Sequence, residues 1–266
     1  MPAARPLITL LTDFGERDYF VASMKGVILS IHPDARIVDL SHEIPPHRIE
    51  EAAYVLESCC RYFPEGTVHV AVVDPGVGSA RRPLLASTEK YHFLAPDNGL
   101  LTRVLRHEQR VEIRRVENTA YRLHAEGATF DGRDVFAPAA AWLAKGKPVS
   151  SFGRVIHDPV TFTILEPAWE GHTLVGAIEY VDRFGNLISN ITVDHLQKWR
   201  TLAGRRQPTI HAGPCAIDGL VSSYCEGRQD TPSALVNSCG KLEIFLDRNS
   251  AAQRMNIGVG EKIRLR

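Results

Sequence analysis

The chain has 266 residues and a formal net charge of zero, because 31 Lys and Arg residues balance 31 Asp and Glu residues. This length suits one large or two ordinary domains, and the balanced charge argues against a broad surface for nucleic acid or anionic membranes. The amino-terminal apolar run is too short for a signal peptide, no later stretch approaches the length of a membrane span, and the five cysteines lack metal-site spacing. We therefore expect a cytoplasmic protein with reduced, mostly buried thiols, no metal site, and a small, partly polar ligand.

The first part of the chain alternates predicted strands and helices. Apolar, β-branched runs predict strands at 7–12, 36–40 and 67–73. Helical spacing predicts one helix that Asp18 could cap and a second from about Arg48. This order is typical of right-handed βαβ units and a mainly parallel sheet. The remaining predicted elements here are a hairpin (84–88 and 91–95), a short helix ending near His107, a strand (111–116) and a helix beginning near Asp134.

The pattern changes from about Lys147. Residues 147–170 contain three prolines and little helical period, which indicates a linker or crossing segment. Beyond it, alternation and glycines predict a small antiparallel barrel or sandwich. We therefore predict an α/β fold, with a mainly parallel sheet flanked by helices over 1–155 and a smaller β-barrel-like domain over 170–266. The predicted strands of the second domain are 174–182, 187–193, 219–225, 233–246 and 262–266.

Two aspartates, Asp13 and Asp74, follow predicted strands at the point where each must stop. Ligands of parallel sheets bind at the carboxyl ends of the strands, and a carboxylate can accept both hydroxyls of a ribose. The alternative is that each aspartate caps the next turn. The glycine-rich loop 76–82 resembles a phosphate-binding nest, but it matches neither GxGxxG nor the GK[ST] ending.

Other polar groups have ordinary structural interpretations beside functional ones. Asp131 and Asp134 precede a predicted helix, and either could cap it. The turn 182–186 carries Phe184 and Asn186, which could stack on and pair with a purine, although such turns are common without any ligand.

Two histidines and a glutamate lie close together at 42, 43 and 47 and could suggest a metal site. Their spacing is not HExxH, and two prolines exclude a helix between them. A surface loop is the favoured interpretation.

Short motifs follow one another in order across nearly the whole chain. They are Thr12-Asp13-Phe14-Gly15, Met24-Lys25-Gly26, Asp39-Leu40-Ser41-His42-x-Ile44-Pro45-Pro46, Phe63-Pro64-x-Gly66-Thr67, Asp74-Pro75-Gly76-Val77-Gly78, Pro96-x-Asn98-Gly99-Leu100, Thr129-Phe130-x-Gly132-Arg133-Asp134, Phe184-Gly185-Asn186 and Asn237-Ser238. No single motif is specific to one family, but the number of motifs and their order are. Together they resemble a known family, the S-adenosyl-L-methionine hydroxide adenosyltransferases, relatives of the fluorinase and chlorinase.

The resemblance implies a homotrimer whose sites lie between one subunit's first domain and its neighbour's second. It also implies cleavage of S-adenosylmethionine by water to adenosine and methionine, with no cofactor. Position by position, Asp13 resembles the ribose-binding aspartate, and Asp18 and Asp182 resemble residues near the methionyl portion. The positions that resemble adenosine contacts are Phe184, Asn186, Ser238, Glu243 and Leu246.

The catalytic set implied by the resemblance has one departure. Asp74 and Arg81 match two members of the family's Asp-Arg-His set, whereas Asp131 stands where a histidine normally precedes Gly132. Two carboxylates would therefore share Arg81. Either they crowd one another, so that one keeps a proton and the other acts as base, or they place water poorly and leave a slow enzyme or an impaired binding protein. Two carboxylates would also repel a halide nucleophile, so we favour hydrolysis over halogenation.

Overall fold

The structure is a computed structural model that describes residues 7–124, 126–204 and 207–266. It divides into two compact units, unit 1 up to Thr163 and unit 2 from Ile164 to Arg266, and the boundary falls inside the proline-containing segment predicted to be a linker. Residues 1–6, part of the segment judged too short for a signal peptide, lie outside the described residues. Across the described ranges, the helices are all too short or too polar to cross a bilayer.

Unit 1 contains a six-stranded sheet whose centre is parallel, as predicted. Its strands are β1 Leu7–Thr12, β2 Arg36–Ser41, β3 Val68–Val72, β4 Pro83–Ser87, β5 His92–Pro96 and β6 Glu112–Arg115. Strand β1 pairs in parallel with both β2 and β3, and β3 pairs in parallel with β5. The predicted hairpin is also confirmed, because β4 runs antiparallel to β5; β4 also pairs with an antiparallel edge strand, β6. The sheet order is β2-β1-β3-β5-β4-β6.

Both faces of this sheet are covered. Val70 of β3 belongs to one apolar cluster, with Met24 and Phe136, whereas the adjacent Ala71 belongs to another, with Leu56. Because successive strand residues point to opposite faces, β3 is buried on both sides, as its continuous apolar sequence predicts. The helices are α1 Phe20–Ile31, α2 Ile49–Cys60, α3 Thr102–Arg106 and α4 Ala137–Ala144, the last preceded by a π-helical turn at Gly132–Phe136.

Two details of the sequence prediction are wrong. Asp18 does not cap α1, because Tyr19 occupies the cap position and no side chain caps the helix. The cysteines are free, as expected, but they are not mostly buried: Cys60 is buried and Cys225 is exposed. Burial raises the pKa of the Cys60 thiol to about 11, so this thiol is not an activated nucleophile.

A buried histidine lies in the centre of unit 1. His69 of β3 is 1% exposed, its Nδ1 lies 2.8 Å from the hydroxyl of Thr9, and its ring stacks on Phe93 at 5.2 Å between centroids. Removal from water disfavours the charged ring and lowers the pKa of His69 to about 4. The folded chain therefore holds this side chain neutral.

We expect His69 to make the fold sensitive to acid. Its folded pKa lies below the ordinary 6.5, so the unfolded state binds the proton more tightly, and stability is lost as pH falls from about 6.5 towards 4. The full loss is about 3 kcal/mol. Urea unfolding at pH 7 and pH 5 should show a smaller decline in midpoint for His69→Asn than for the unmodified chain. The exposed His172→Asn serves as the control and should leave the decline unchanged; an equal decline in all three would contradict the prediction.

Unit 2 is dominated by one antiparallel sheet that curls towards a barrel, which confirms the predicted class. Its strands are β7 Ala168–Glu170, β8 Thr173–Val181, β9 Leu187–Thr192, β10 Thr209–Ala212, β11 Cys215–Asp218, β12 Ser233–Val236, β13 Lys241–Phe245 and β14 Lys262–Leu265. Their order in the sheet is β11-β10-β14-β8-β9-β13-β12, with β7 paired to β8. The side chains that fill the core of the unit include Leu174, Trp199 and Ile244.

The sequence prediction missed helices in unit 2 and assigned one strand wrongly. The predicted strand 219–225 is a loop that leads into a 3₁₀ turn at Tyr224–Glu226. Helix α5, Val193–Leu202, begins at a capping box in which the Thr192 hydroxyl accepts from the His195 amide. Because histidine replaces the usual Glu or Gln of that motif, the signal is easily overlooked. A second helix, α6, spans Ala251–Met255.

Candidate active site

An arginine lies between two carboxylates near the carboxyl end of β3. Nη2 of Arg81 forms an ion pair with Oδ2 of Asp74 and lies 2.5 Å from Oδ2 of Asp131. The exposed fractions of these side chains are 10% for Arg81, 5% for Asp74 and 22% for Asp131. Buried charges require partners, so each carboxylate is held by the same guanidinium. The cluster carries a formal charge of −1 and combines residues that are 50 positions apart.

The loop from Asp74 to Arg82 is shaped by its two glycines and by Asp74 itself. The Gly76 amide donates to Asp74 Oδ1 at 3.2 Å. Gly78 has a φ of +80°, and a Cβ there would lie 2.9 Å from the carbonyl oxygen of Ala128. Glycine therefore lets this loop pack closely on the segment that leads to Asp131.

Asp131 occupies the cap position of the π-helical turn, but its side chain makes no capping hydrogen bond. The carboxylate pairs instead with Arg81, whose guanidinium also lies 5.7 Å from the ring centroid of Phe136. The interpretation of Asp131 as a helix cap is therefore wrong. Asp134 does not cap either, because its two carboxylate oxygens accept from Arg133 at 2.6 and 2.9 Å. π-helical turns occur frequently at functional sites.

The neighbouring arginine of the loop points to different partners. Nε of Arg82 donates to Asp97 at 2.6 Å, and Nη1 donates to Asp158 at 2.8 Å. With Arg81 and Arg82 both engaged by carboxylates, the loop offers no free guanidinium for a phosphate. The phosphate-nest interpretation therefore has no support in unit 1.

A further cation, Arg122, was not identified from the sequence. Its Nη2 donates to the carbonyl of Val116, and burial lowers the pKa of Arg122 although the negative charge of Asp131 raises it. The positive charges of Arg122 and Arg81 thus both act on Asp131. No motif in the sequence marks this residue, because it lies in an irregular segment after a 3₁₀ turn at Thr119–Tyr121.

Asp13 follows β1 and therefore lies at the same sheet edge as Asp74. Thr12 of β1 is paired with Val72 of β3, so both aspartates come just after adjacent strand ends. Oδ2 of Asp13 accepts the backbone N–H of His47 at 2.9 Å. Asp18 is exposed, beyond the loop that follows Asp13.

Most of the histidine-containing loop at 42–47 lies at the surface, as predicted, but its first residue does not. His42 is buried at 3% exposed rather than on the surface, whereas His47 is exposed. Across the described parts of the chain, no three His, Cys, Asp or Glu side chains are grouped so that they could hold a metal ion.

Unit 2 contains a cavity of about 510 Å³ that brings together four of its predicted ligand residues. This volume is of the size that binds small organic ligands. The predicted residues in its lining are Asp182, Phe184, Asn186 and Leu246. The remaining lining residues, which were not predicted from the sequence, are Tyr224, Phe245, Asp247, Arg248, Asn249 and Ser250.

Asp182 builds the turn that forms one wall of this cavity. Its Oδ1 accepts the amides of Phe184 and Asn186 at 2.9 and 2.8 Å, and its Oδ2 accepts from Asn186 Nδ2 at 2.9 Å. The carboxylate thus holds the Asn186 side chain in one orientation. Phe184 is 77% exposed and presents its ring at the cavity wall.

Gly185 allows this turn to lie against the start of α6. Its φ is +82°, and a Cβ would overlap Ser250 Oγ and lie 2.9 Å from Ser250 Cα. We expect Gly185→Ala to destabilise unit 2 clearly more than Gly171→Ala, which has a φ of +61° and open space around a Cβ. The control measures the penalty of a left-handed residue alone, about 1 kcal/mol. Thermal unfolding of the two variants would test this, and equal shifts would contradict it.

Glu243 and Ser238 are placed differently from the cavity residues. Glu243 is 3% exposed, and its carboxylate accepts from the Tyr224 hydroxyl at 2.6 Å and from Asn237 Nδ2 at 3.0 Å. Burial and this hydrogen bond raise the pKa of Tyr224, so its hydroxyl remains a donor and its ring is fixed at the cavity wall. Ser238 is exposed in the turn between β12 and β13, and it is not among the described residues that line the cavity.

Both units match domains of a known protein family. The model of the SAM hydroxide adenosyltransferase N-terminal domain matches residues 8–153, and the model of the C-terminal domain matches residues 176–264. The (R)-S-adenosyl-L-methionine hydrolase of Thermus thermophilus is 34% identical over 265 residues, covering 97% of this chain and 98% of that protein. A fluorinase of an Actinoplanes species is 31% identical, and the alignment covers 98% of this chain and 97% of the fluorinase. A crystal structure of an uncharacterized conserved protein from Thermotoga maritima has a TM-score of 0.89 and 31% identity, with 97% of this chain and 99% of that chain covered.

Proposed function

The chain belongs to the SAM hydroxide adenosyltransferase family, and we propose that it hydrolyses S-adenosyl-L-methionine to adenosine and L-methionine. The observation that supports this most directly is the cluster of Arg81 with Asp74 and Asp131 at the carboxyl end of β3. The Thermus thermophilus relative is named as a hydrolase of this substrate.

The reaction is an in-line displacement at the 5′ carbon of the ribose. A water oxygen forms a bond to C5′ while the C5′–S bond breaks, and the sulfonium sulfur keeps the bonding electron pair, so methionine leaves as a neutral thioether. The leaving group needs no acid. The attacking water must lose one proton, which a carboxylate can accept.

The cluster is suited to holding that water. Arg81 offers donors that orient the oxygen, and Asp74 and Asp131 are the two acceptors next to it. All three side chains are largely buried, so fixed charges and positioning act strongly on the nucleophile. We assign to Asp13 the ribose hydroxyls and to the unit 2 cavity the adenine ring.

We also propose that the protein is a homotrimer in which unit 1 of one copy meets unit 2 of the next copy. The candidate water-activating residues lie in unit 1 and the candidate adenine cavity lies in unit 2, which fits such an arrangement. Light scattering at micromolar concentration tests this arrangement, and a monomer would contradict it.

A cytoplasmic location is our further expectation, and the free cysteines are typical of a reducing compartment.

Incubation of the purified protein with S-adenosylmethionine in ¹⁸O-labelled water tests the activity. We expect adenosine with one labelled oxygen, detected by chromatography and mass spectrometry, and no halogenated nucleoside when chloride or fluoride is added. Prior dialysis against EDTA should leave the rate unchanged, because no step requires a cofactor. The second candidate function is a catalytically impaired binding protein, and the observation that favours it is Asp131 at the position of the family histidine. Tight binding of S-adenosylmethionine without any product would support it.

A further inference from the structure

A buried histidine connects the loop that carries Asp13 to a lysine at the surface. Nδ1 of His42 lies 2.8 Å from the Thr12 hydroxyl, and Nε2 lies 3.0 Å from Oδ1 of Asp39. Oδ2 of Asp39 accepts from Lys25 Nζ at 2.6 Å. The His42 side chain is 1% exposed, and the Lys25 and Asp39 side chains are about one-third exposed. These residues form a continuous chain of polar contacts from α1 to the end of β1.

The chemistry of the partners sets the direction of each hydrogen bond. Asp39 is an acceptor, since the hydrogen bonds from Lys25 and His42 lower the pKa of its carboxyl despite the opposing effect of burial. Nε2 of His42 faces Asp39 Oδ1, and in the tautomer whose Nε2 carries the proton, Nδ1 accepts from the Thr12 hydroxyl. The Thr12 oxygen in turn accepts the Phe14 amide at 3.3 Å.

The segment that begins at His42 holds the Asp13 loop at three points. Besides the side-chain contact with Thr12, the backbone carbonyl of His42 accepts the Gly15 amide at 2.8 Å. The amide of His47 donates to Asp13 Oδ2 at 2.9 Å, and His47 adopts a left-handed conformation with a φ of 69°. Thr12, just before Asp13, and Gly15, two residues after it, therefore both make hydrogen bonds to this segment. The Asp13 carboxylate does so directly, through the His47 amide.

On the basis of the proposed function, we propose that His42 is a positioning residue for ribose recognition. It acts through Thr12 and the backbone of the Asp13 loop, and Asp39 and Lys25 maintain its tautomer and orientation. A carboxylate binds two vicinal hydroxyls well only when its plane is fixed before the ligand arrives. Loss of His42 should therefore weaken the contact with the ribose hydroxyls more than the contact with the base.

Calorimetric binding of adenosine and of 2′,3′-dideoxyadenosine to the full-length protein separates these two contacts. We expect the unmodified chain to prefer adenosine by at least about tenfold, the size of a charge-assisted hydrogen bond. His42→Ala should reduce this ratio towards one. His42→Asn, whose amide can occupy the position of Nδ1, should retain more of the ratio than His42→Gln, whose amide occupies the position of Nε2.

His69→Asn is the matched control, because His69 is equally buried and also contacts a threonine hydroxyl through Nδ1 at 2.8 Å. It should lower stability and leave the ratio unchanged. If His42→Ala fails to fold, Asp39→Asn and Lys25→Met, both at partly exposed positions, should still reduce the ratio by a few-fold.

An undiminished ratio in the folded His42 and Asp39 variants would overturn the proposal, as would an unmodified chain that does not discriminate between the two nucleosides. A chain that discriminates between them but does not hydrolyse S-adenosylmethionine would contradict the proposed activity alone.

Discussion

Replacing Arg81 with alanine is expected to lower the rate of adenosine formation at least about 1,000-fold. The substitution removes the only group that contacts both Asp74 and Asp131 in the described cluster and leaves two carboxylates facing each other. Water would then lose its main oriented donor, while the like charges repel one another. Single-turnover measurement of adenosine with saturating S-adenosylmethionine gives this rate directly.

The matched control is Arg103→Ala. Arg103 has a similarly buried side chain, 11% exposed, and it pairs with Glu57 between α2 and α3. Its loss should lower the unfolding temperature without a comparable loss of rate. If the rate of adenosine formation fell 1,000-fold in both variants, the effect would come from impaired folding rather than from the site.

Chemical rescue gives a second readout that a structural role would not produce. Guanidinium ion at millimolar concentration can enter the space left in Arg81→Ala and restore part of the activity, whereas urea and sodium chloride should not. Rescue by all three solutes, or full activity of the variant without any solute, would contradict the assigned role.

Much of unit 1 could be predicted from the sequence because its signals are local. The apolar run of β3 predicts a strand buried on both faces, and the strands at 7–12 and 68–72 are observed where that pattern places them. The reversal at the hairpin and the short helix before His107 also follow from turn residues and helical spacing. Unit 2 was less predictable, since α5 begins with a capping box containing His195 and its apolar residues are few.

The candidate site was predictable only in part. Strand ends can be found in a sequence, so Asp13 and Asp74 were identified, and Arg81 lies in the same predicted loop as Asp74. The family resemblance then gave Arg81 and Asp131 their catalytic roles. The sequence could not show that Asp131 leaves its cap position unused and pairs with Arg81, because that contact spans 50 residues. Nor could it show that His42 is buried, since its partners Thr12 and Asp39 come from adjacent strands.

The second large effect is expected at Asp131, where both Asp131→Asn and Asp131→His should lower turnover by roughly 100-fold. Asn retains the shape and removes the charge, whereas His restores the residue type of the family pattern. Asp131 forms a direct ion pair with Arg81, with 2.5 Å between Oδ2 and Nη2. We therefore expect Asp131 to contribute to water activation in this chain, in place of the family histidine.

The negative charge of this cluster provides a further test of the same substitutions. Removing one carboxylate changes the formal charge of Asp74, Arg81 and Asp131 from −1 to zero, so attraction for the positively charged sulfonium should fall. The KM for S-adenosylmethionine should therefore rise in both variants, while the Kd for adenosine, which is neutral, should stay the same. A faster Asp131→His enzyme would instead show that the aspartate impairs the natural chain. In that case Arg81 would need a neutral partner at this position, because a second carboxylate would hold the guanidinium away from the attacking water.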